Sequence, residues 1–211
     1  MRACAVLAGN SMQELLQKAS DAKGRGADLV EVCFDQLNGY EDIELIESFP
    51  LPVIVSCRYS KDKTLYSALK KSLKFKTEFV DIDLSFPKSF IEEIFSYARS
   101  NGIKTIVSYY PETLPAQKTL KKVIEDMSIL SNHIKITLPA KSGKNFEAFD
   151  ETFGTSSKTG AKLTLISSMH AIADRRNFIG YGKTDSSSNN RHLPHIEDVK
   201  KLIVENTRPR A

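Results

Sequence analysis

The chain has 211 residues, 41% of them hydrophobic and 27% charged, which is ordinary for a globular protein and excludes general disorder. This length suits one (β/α)8 barrel or one doubly wound sheet and excludes two full domains, so a single domain over residues 1–211 is expected. The formal net charge of +4 comes mostly from lysines on helix-like stretches such as Lys70 to Lys76 and Lys118 to Lys122. With no nucleic-acid motif beside them, they read as solvated faces and no nucleic-acid partner is expected.

In chain order, strand-like runs fall at Ala3 to Leu7, Leu29 to Phe34, Val53 to Cys57, Phe79 to Leu84, Thr105 to Tyr109, His133 to Leu138 and Lys162 to Ser167. Between most of them lie stretches with apolar residues at helical spacing: Met12 to Ala22, Leu65 to Leu73, Phe90 to Ala98, Leu120 to Leu130 and Phe146 to Phe153. Ser11 is placed to cap the first helix, and Gly24, Gly26 and Gly102 stand where helices end before the next strand. A short, weak eighth strand at Phe178 to Tyr181 and a last helix at Ile196 to Val204 complete the alternation, with a frayed tail expected from Asn206 to Ala211. Strand-helix alternation predicts a parallel sheet. A dinucleotide fold wants GxGxxG directly after the first strand, where this chain has Gly9-Asn-Ser-Met, so the (β/α)8 TIM barrel is the expected fold.

Several exclusions follow from the same reading. The longest apolar runs, such as Leu51 to Cys57, are far shorter than the roughly 20 residues that cross a bilayer. No membrane association is expected, and without a secretory leader at Arg2 to Met12 a cytoplasmic location is. Cys4, Cys33 and Cys57 lie inside strands without CxxC spacing, which suggests buried thiols and neither a zinc site nor a disulfide framework. The serine-rich stretches Gly154 to Gly160 and Asp185 to Arg191 adjoin strand ends, where a barrel carries either active-site loops or plain connections.

Polar residues inside these strands carry the functional signal, because every second side chain of a barrel strand points into the core. Period two puts Glu31, Cys33 and Asp35 on one face, Ile54, Ser56 and Arg58 on another, and pairs Asp81 with Asp83 and Ser108 with Tyr110. On the sixth strand it aligns His133, Lys135 and Thr137, with isoleucines flanking Lys135. That lysine has two readings. In one it is structural, snorkelling or pairing with Glu31 or Asp83. In the other a low-dielectric core and the nearby Arg58 cation strip its proton, and the neutral amine attacks a ketone. The protonated imine so formed would acidify the adjacent C–H bond for elimination or retro-aldol chemistry.

These segments resemble the type I 3-dehydroquinate dehydratases, whose strand patterns are acid-x-Arg-x-Asp on strand two, Thr/Ser-x-Arg on three, Ser-Tyr-His on five and a lysine on six. The matches are Glu31-Val-Cys-Phe-Asp35, Ser56-Cys-Arg58, Val80-Asp-Ile-Asp-Leu84, Ser108-Tyr-Tyr110 and His133-Ile-Lys135, in the family's order. The resemblance implies dehydration of 3-dehydroquinate to 3-dehydroshikimate in the shikimate pathway, by a cytoplasmic homodimer with no metal or organic cofactor. It implies that Lys135 forms the imine, that Glu31 and Arg58 bind substrate, and that Arg176 is the arginine of the loop after strand seven. The family's acid-base histidine falls at Tyr110 and a substrate-contacting arginine falls at Cys33, and the late Ala-Pro-Gly-Gln loop has no counterpart in Ser186 to His195. A phenol with a pKa of about 10 is mostly protonated at neutral pH. Tyr110 could serve if Lys135 and Arg58 lower its pKa, or His170 could reach in, while His192 and His195 read as loop and helix-start residues. The alternatives are another lysine-imine barrel enzyme of the class I aldolase type, and a catalytically impaired barrel that binds the ligand.

Overall fold

The computed structural model describes residues 1–139, 158–167, 179–184 and 193–207. Eight strands run parallel: β1 (Arg2–Leu7), β2 (Leu29–Cys33), β3 (Val53–Cys57), β4 (Thr77–Asp83), β5 (Lys104–Tyr109), β6 (His133–Leu138), β7 (Lys162–Ser167) and β8 (Ile179–Lys183). Each pairs with its neighbour in chain order from β1 to β7, and β8 returns to pair with β1, so the sheet curls into a nearly closed barrel. At the remaining seam, between β7 and β8, the Ile179 amide donates to the Thr164 hydroxyl at 3.1 Å. This is the TIM-barrel architecture that the alternation predicts.

Helices α1 (Met12–Gly24), α2 (Lys63–Ser72), α3 (Lys88–Ser100), α4 (Gln117–Leu130) and α5 (Ile196–Thr207) pack outside the strands. Each buries the stripe that its spacing dictates: Met12, Leu15, Ala19 and Ala22 on α1, for example, and Ile91, Ile94, Phe95 and Ala98 on α3. Ser11 caps α1 as expected, its hydroxyl accepting the Glu14 amide at 3.3 Å. Gly26, with φ of 90°, turns the chain out of α1 while Ala27 donates back to Ala22 at 3.0 Å. No α-helix joins β2 to β3. Two 3-10 turns, Phe34–Gln36 and Ile43–Ser48, cover the sheet there with Phe34, Ile43 and Ile46. The expected helix at Phe146 to Phe153 lies outside the described residues.

The eighth strand is longer toward its carboxyl end than its sequence signal. Gly180 and Gly182 face α5, and a Cβ on Gly182 would stand 2.9 Å from the Ile196 Cα. Close helix-strand approach therefore demands the glycines that dilute the strand pattern. Inside the barrel, Cys4, Val6, Leu29, Ile54, Phe79, Ile106, Ile166, Ile179, Tyr181 and Leu193 form one apolar cluster, separate from the larger layer between strands and helices. His133 belongs to the lower part of this interior, edge-on to Phe79 at 5.6 Å with Nδ1 at 3.1 Å from the Thr105 carbonyl, and burial lowers its pKa.

Candidate active site

Above that apolar floor the inward positions turn polar at the carboxyl ends of the strands, where barrel active sites lie. A pocket there is lined by Glu31, Cys33 and Asp35 from β2 and the residues after it, Ser56 and Arg58 at the end of β3, Tyr110 after β5, Lys135 and Thr137 from β6 and Tyr181 from β8. Period two along each strand delivers these side chains to one cavity, because a barrel interior accepts alternate residues from every strand.

At its centre Lys135 is 3% exposed. Its Nζ donates to Glu31 Oε1 at 3.0 Å and Oε2 at 3.1 Å, and it makes an ion pair with Asp81 Oδ2. Burial alone would drive the proton off this ammonium, but the carboxylates of Asp81 and Glu31 outweigh it and raise the pKa well above its ordinary value. The expectation that Arg58 leaves Lys135 neutral is thereby corrected. Asp81 is fully buried, and burial pushes its carboxyl up to about 6 against the opposing pull of Lys135. The expected partner Asp83 is occupied elsewhere, accepting the Ser85 amide at 2.9 Å and the Tyr59 amide at 3.4 Å.

Two aromatic rings face the ammonium: Nζ lies 5.8 Å from the Tyr110 ring centroid and 5.0 Å from that of Tyr181. Arg58, exposed at the mouth, stacks its guanidinium 4.4 Å over the Tyr110 ring, and its backbone amide donates to Asp35 at 3.1 Å. Burial raises the Tyr110 phenol above its ordinary pKa, and the pull of Lys135 and Arg58 in the other direction does not overcome it. Tyr110 is therefore a proton donor at neutral pH, contrary to the expectation of a lowered pKa. Cys33 sits between Glu31 Oε1, at 3.8 Å, and the Ser56 hydroxyl, at 3.4 Å, with its thiol pushed up by burial. It supplies no positive charge at the mouth.

The structure thus brings together Lys135, Glu31, Cys33, Arg58 and Tyr110 from the sequence expectation. Arg176 and His170 lie outside the described residues, as does His192, and His195 is exposed at the entry to α5. Sequence reasoning missed Tyr181 as a site residue. The available signal was its period-two spacing from Ile179 in the last strand. Among the described residues no group of His, Cys, Asp and Glu is arranged to hold a metal, and no helix is long and apolar enough to cross a membrane.

A lysine seated between buried carboxylates at the carboxyl mouth of a TIM barrel defines the class as an enzyme with an acid-base and nucleophile-capable site. The family model of type I 3-dehydroquinase matches residues 3–167. The curated 3-dehydroquinate dehydratase of Pyrococcus abyssi (strain GE5 / Orsay) is 30% identical over 150 residues, 66% of this chain and 67% of that protein. Among solved structures, the 3-dehydroquinate dehydratase from Geobacillus kaustophilus HTA426 superposes with a TM-score of 0.83 at 14% identity, over 98% of this chain and 91% of that one. The enzyme from Aquifex aeolicus VF5 superposes with a TM-score of 0.79 at 21% identity, over 99% and 100%. The chain belongs to the type I 3-dehydroquinase family and is an enzyme of the hydro-lyase class.

Proposed function

We propose that the chain dehydrates 3-dehydroquinate to 3-dehydroshikimate, a step of the shikimate pathway, through an imine on Lys135. The observation that carries this reading is the Lys135 ammonium buried between Glu31 and Asp81, in one pocket with Arg58 and Tyr110. The active form is a cytoplasmic homodimer that uses no metal or organic cofactor.

Arg58 at the mouth meets the substrate carboxylate, for which a guanidinium is the matched partner. Lys135 must shed a proton before it can attack, and Asp81 is the acceptor best suited to it, since burial already favours its protonated form. The free amine adds to the ketone carbon, and the resulting hydroxyl takes the proton and leaves as water, giving a protonated imine. Its positive charge sits where the ammonium sat, so Glu31 and Asp81 stabilise it without reorganising. The carbon next to the imine then loses a proton to the carboxylate pair, forming an enamine. The hydroxyl one carbon further departs as water with a proton donated from Tyr110, leaving a conjugated protonated imine, and the proton held by the carboxylate pair passes back to the Tyr110 phenolate. Water hydrolyses that imine, releasing the enone and restoring Lys135. The net change is loss of one water.

Borohydride treatment of the protein with 3-dehydroquinate, read by peptide mass spectrometry, is expected to leave a reduced adduct on Lys135 alongside appearance of the enone absorbance. An unlabelled Lys135 in protein that forms no enone would sink the assignment.

A further inference from the structure

Tyr181 is placed on β8, in register with Cys4 of β1, and its side chain is 2% exposed within the barrel interior. Its ring faces the Lys135 Nζ at 5.0 Å, and it lines the pocket that holds Glu31, Arg58 and Tyr110. The hydroxyl meets no hydrogen-bond partner among the described residues. A buried phenol normally finds one, because leaving its O–H unsatisfied costs stability that an isosteric phenylalanine would not lose. Left unpartnered by the described residues, this hydroxyl is available to an oxygen of a bound ligand.

We propose that Tyr181 is a substrate-binding residue of this site, its hydroxyl donating a hydrogen bond to an oxygen of the bound polyhydroxy ring acid. Three features converge on this role. The ring faces the nitrogen that forms the imine in the proposed reaction, its centroid 5.0 Å from Nζ, and it lines the same pocket. Burial raises the phenol pKa well above its ordinary value, which keeps the hydroxyl protonated at neutral pH. Cys33, on the neighbouring wall of the same pocket, offers no charged donor. Sites that supply a buried donor to a substrate oxygen lose affinity for ligands that leave that donor unpaired, which makes Tyr181 a determinant of specificity for oxygen-rich rings.

The inference rests on the proposed dehydratase reading, and the experiment separates the two. Tyr181→Phe keeps the ring against Lys135 and removes only the unpartnered hydroxyl. The variant is expected to lose about 10- to 100-fold in kcat/KM for 3-dehydroquinate, the range of one hydrogen bond to a polar ligand. Its Tm is expected to equal or exceed that of the parent, since an unsatisfied buried hydroxyl has been removed. Parent-like trapping of Lys135 by borohydride at saturating substrate would show that the imine step is spared. A kcat/KM within twofold of the parent overturns the inference while leaving the dehydratase reading intact, and so does a loss that falls in step with Tm, which would make the hydroxyl structural. A parent protein that yields neither enone nor adduct overturns the dehydratase reading, and this inference with it.

Discussion

The two ends of the barrel handle charge in opposite ways. At the amino ends of the strands, Glu78 accepts from Arg2 at 2.6 and 3.0 Å and from Lys104 at 2.9 Å, and Lys200 reaches Asp28 at 2.6 Å. Each carboxylate there has cations beside it and partial access to water. Burial by itself would raise Glu78 and Asp28, but these bonds hold both below the ordinary carboxylate range. At the carboxyl ends the cluster is out of water and carboxylates outnumber the cation: Glu31 and Asp81 share Lys135. One end is electrostatically settled, and the other holds a carboxyl raised to about 6 beside a buried lysine ammonium. TIM barrels ordinarily keep stability at the first end and reactivity at the second, and the two charge patterns match that division.

The largest break in that contrast comes from Lys135→Met. It removes the only cation paired with Glu31 and Asp81 among the described residues, and a buried ion pair stripped of one partner costs about 3–5 kcal/mol. Product formation is expected to vanish, and the urea midpoint to fall by an amount far above that of any rim substitution. A midpoint unchanged from the parent would mean that the cluster is not buried as described.

Next in size is a gain. Tyr110 keeps its proton at neutral pH and Cys33 brings no charge, so Tyr110→His with Cys33→Arg restores a titratable base and a substrate-facing cation. A general base contributes about 10²- to 10⁴-fold, and kcat/KM is expected to rise toward the lower part of that range. A folded double variant with no gain would show that Tyr110 and Cys33 do not stand in for those groups, and it would count against the alignment and against the reading of an impaired barrel kept for binding.

The smallest effect is the sharpest comparison, since it depends on sign. Glu78 is depressed in the folded protein, so its contribution is present above the ordinary value of 4.5 and is lost as pH falls below it. Asp81 is raised from 3.8 to about 6, so its contribution is greatest below 3.8 and declines as pH rises through that interval. The Tm difference between the parent and Glu78→Gln should shrink on acidification. The Tm of the parent relative to that of Asp81→Asn should fall as pH rises from 4 to 6. Parallel trends for the two variants would erase the distinction between the ends.

Much of this was legible in the sequence. Mainly apolar runs at Val53 to Cys57 and Leu163 to Ile166 mark strands because burial on both faces favours apolar side chains, and a charged intruder at period two, such as Glu31 or Lys135, then marks the cavity. β8 was faint because Gly180 and Gly182 serve the approach of α5 and not strand propensity. Of the two expected partners of Lys135, Glu31 is found and Asp83 gives way to Asp81 for a geometric reason. Register sets Asp83 level with Ser108 and Ser108 level with Lys135, which favours Asp83 in a flat sheet. Barrel strands tilt by roughly 35–45°, which displaces side chains across the interior from their ladder partners and brings Asp81 to the amine instead. The pKa directions at Lys135 and Tyr110 were beyond sequence for the same reason, since they depend on which buried charges face which group.

The seam between β7 and β8 carries this into the time domain. Neighbouring strands elsewhere are laced by backbone ladders, whereas here a side-chain hydroxyl, that of Thr164, receives the Ile179 amide. Thr164 is also the register partner of Lys135. With a side-chain bond where a ladder rung stands elsewhere, local opening of the barrel wall is expected to cost least here, beside Lys135, and to show as fast exchange of the Ile179 amide.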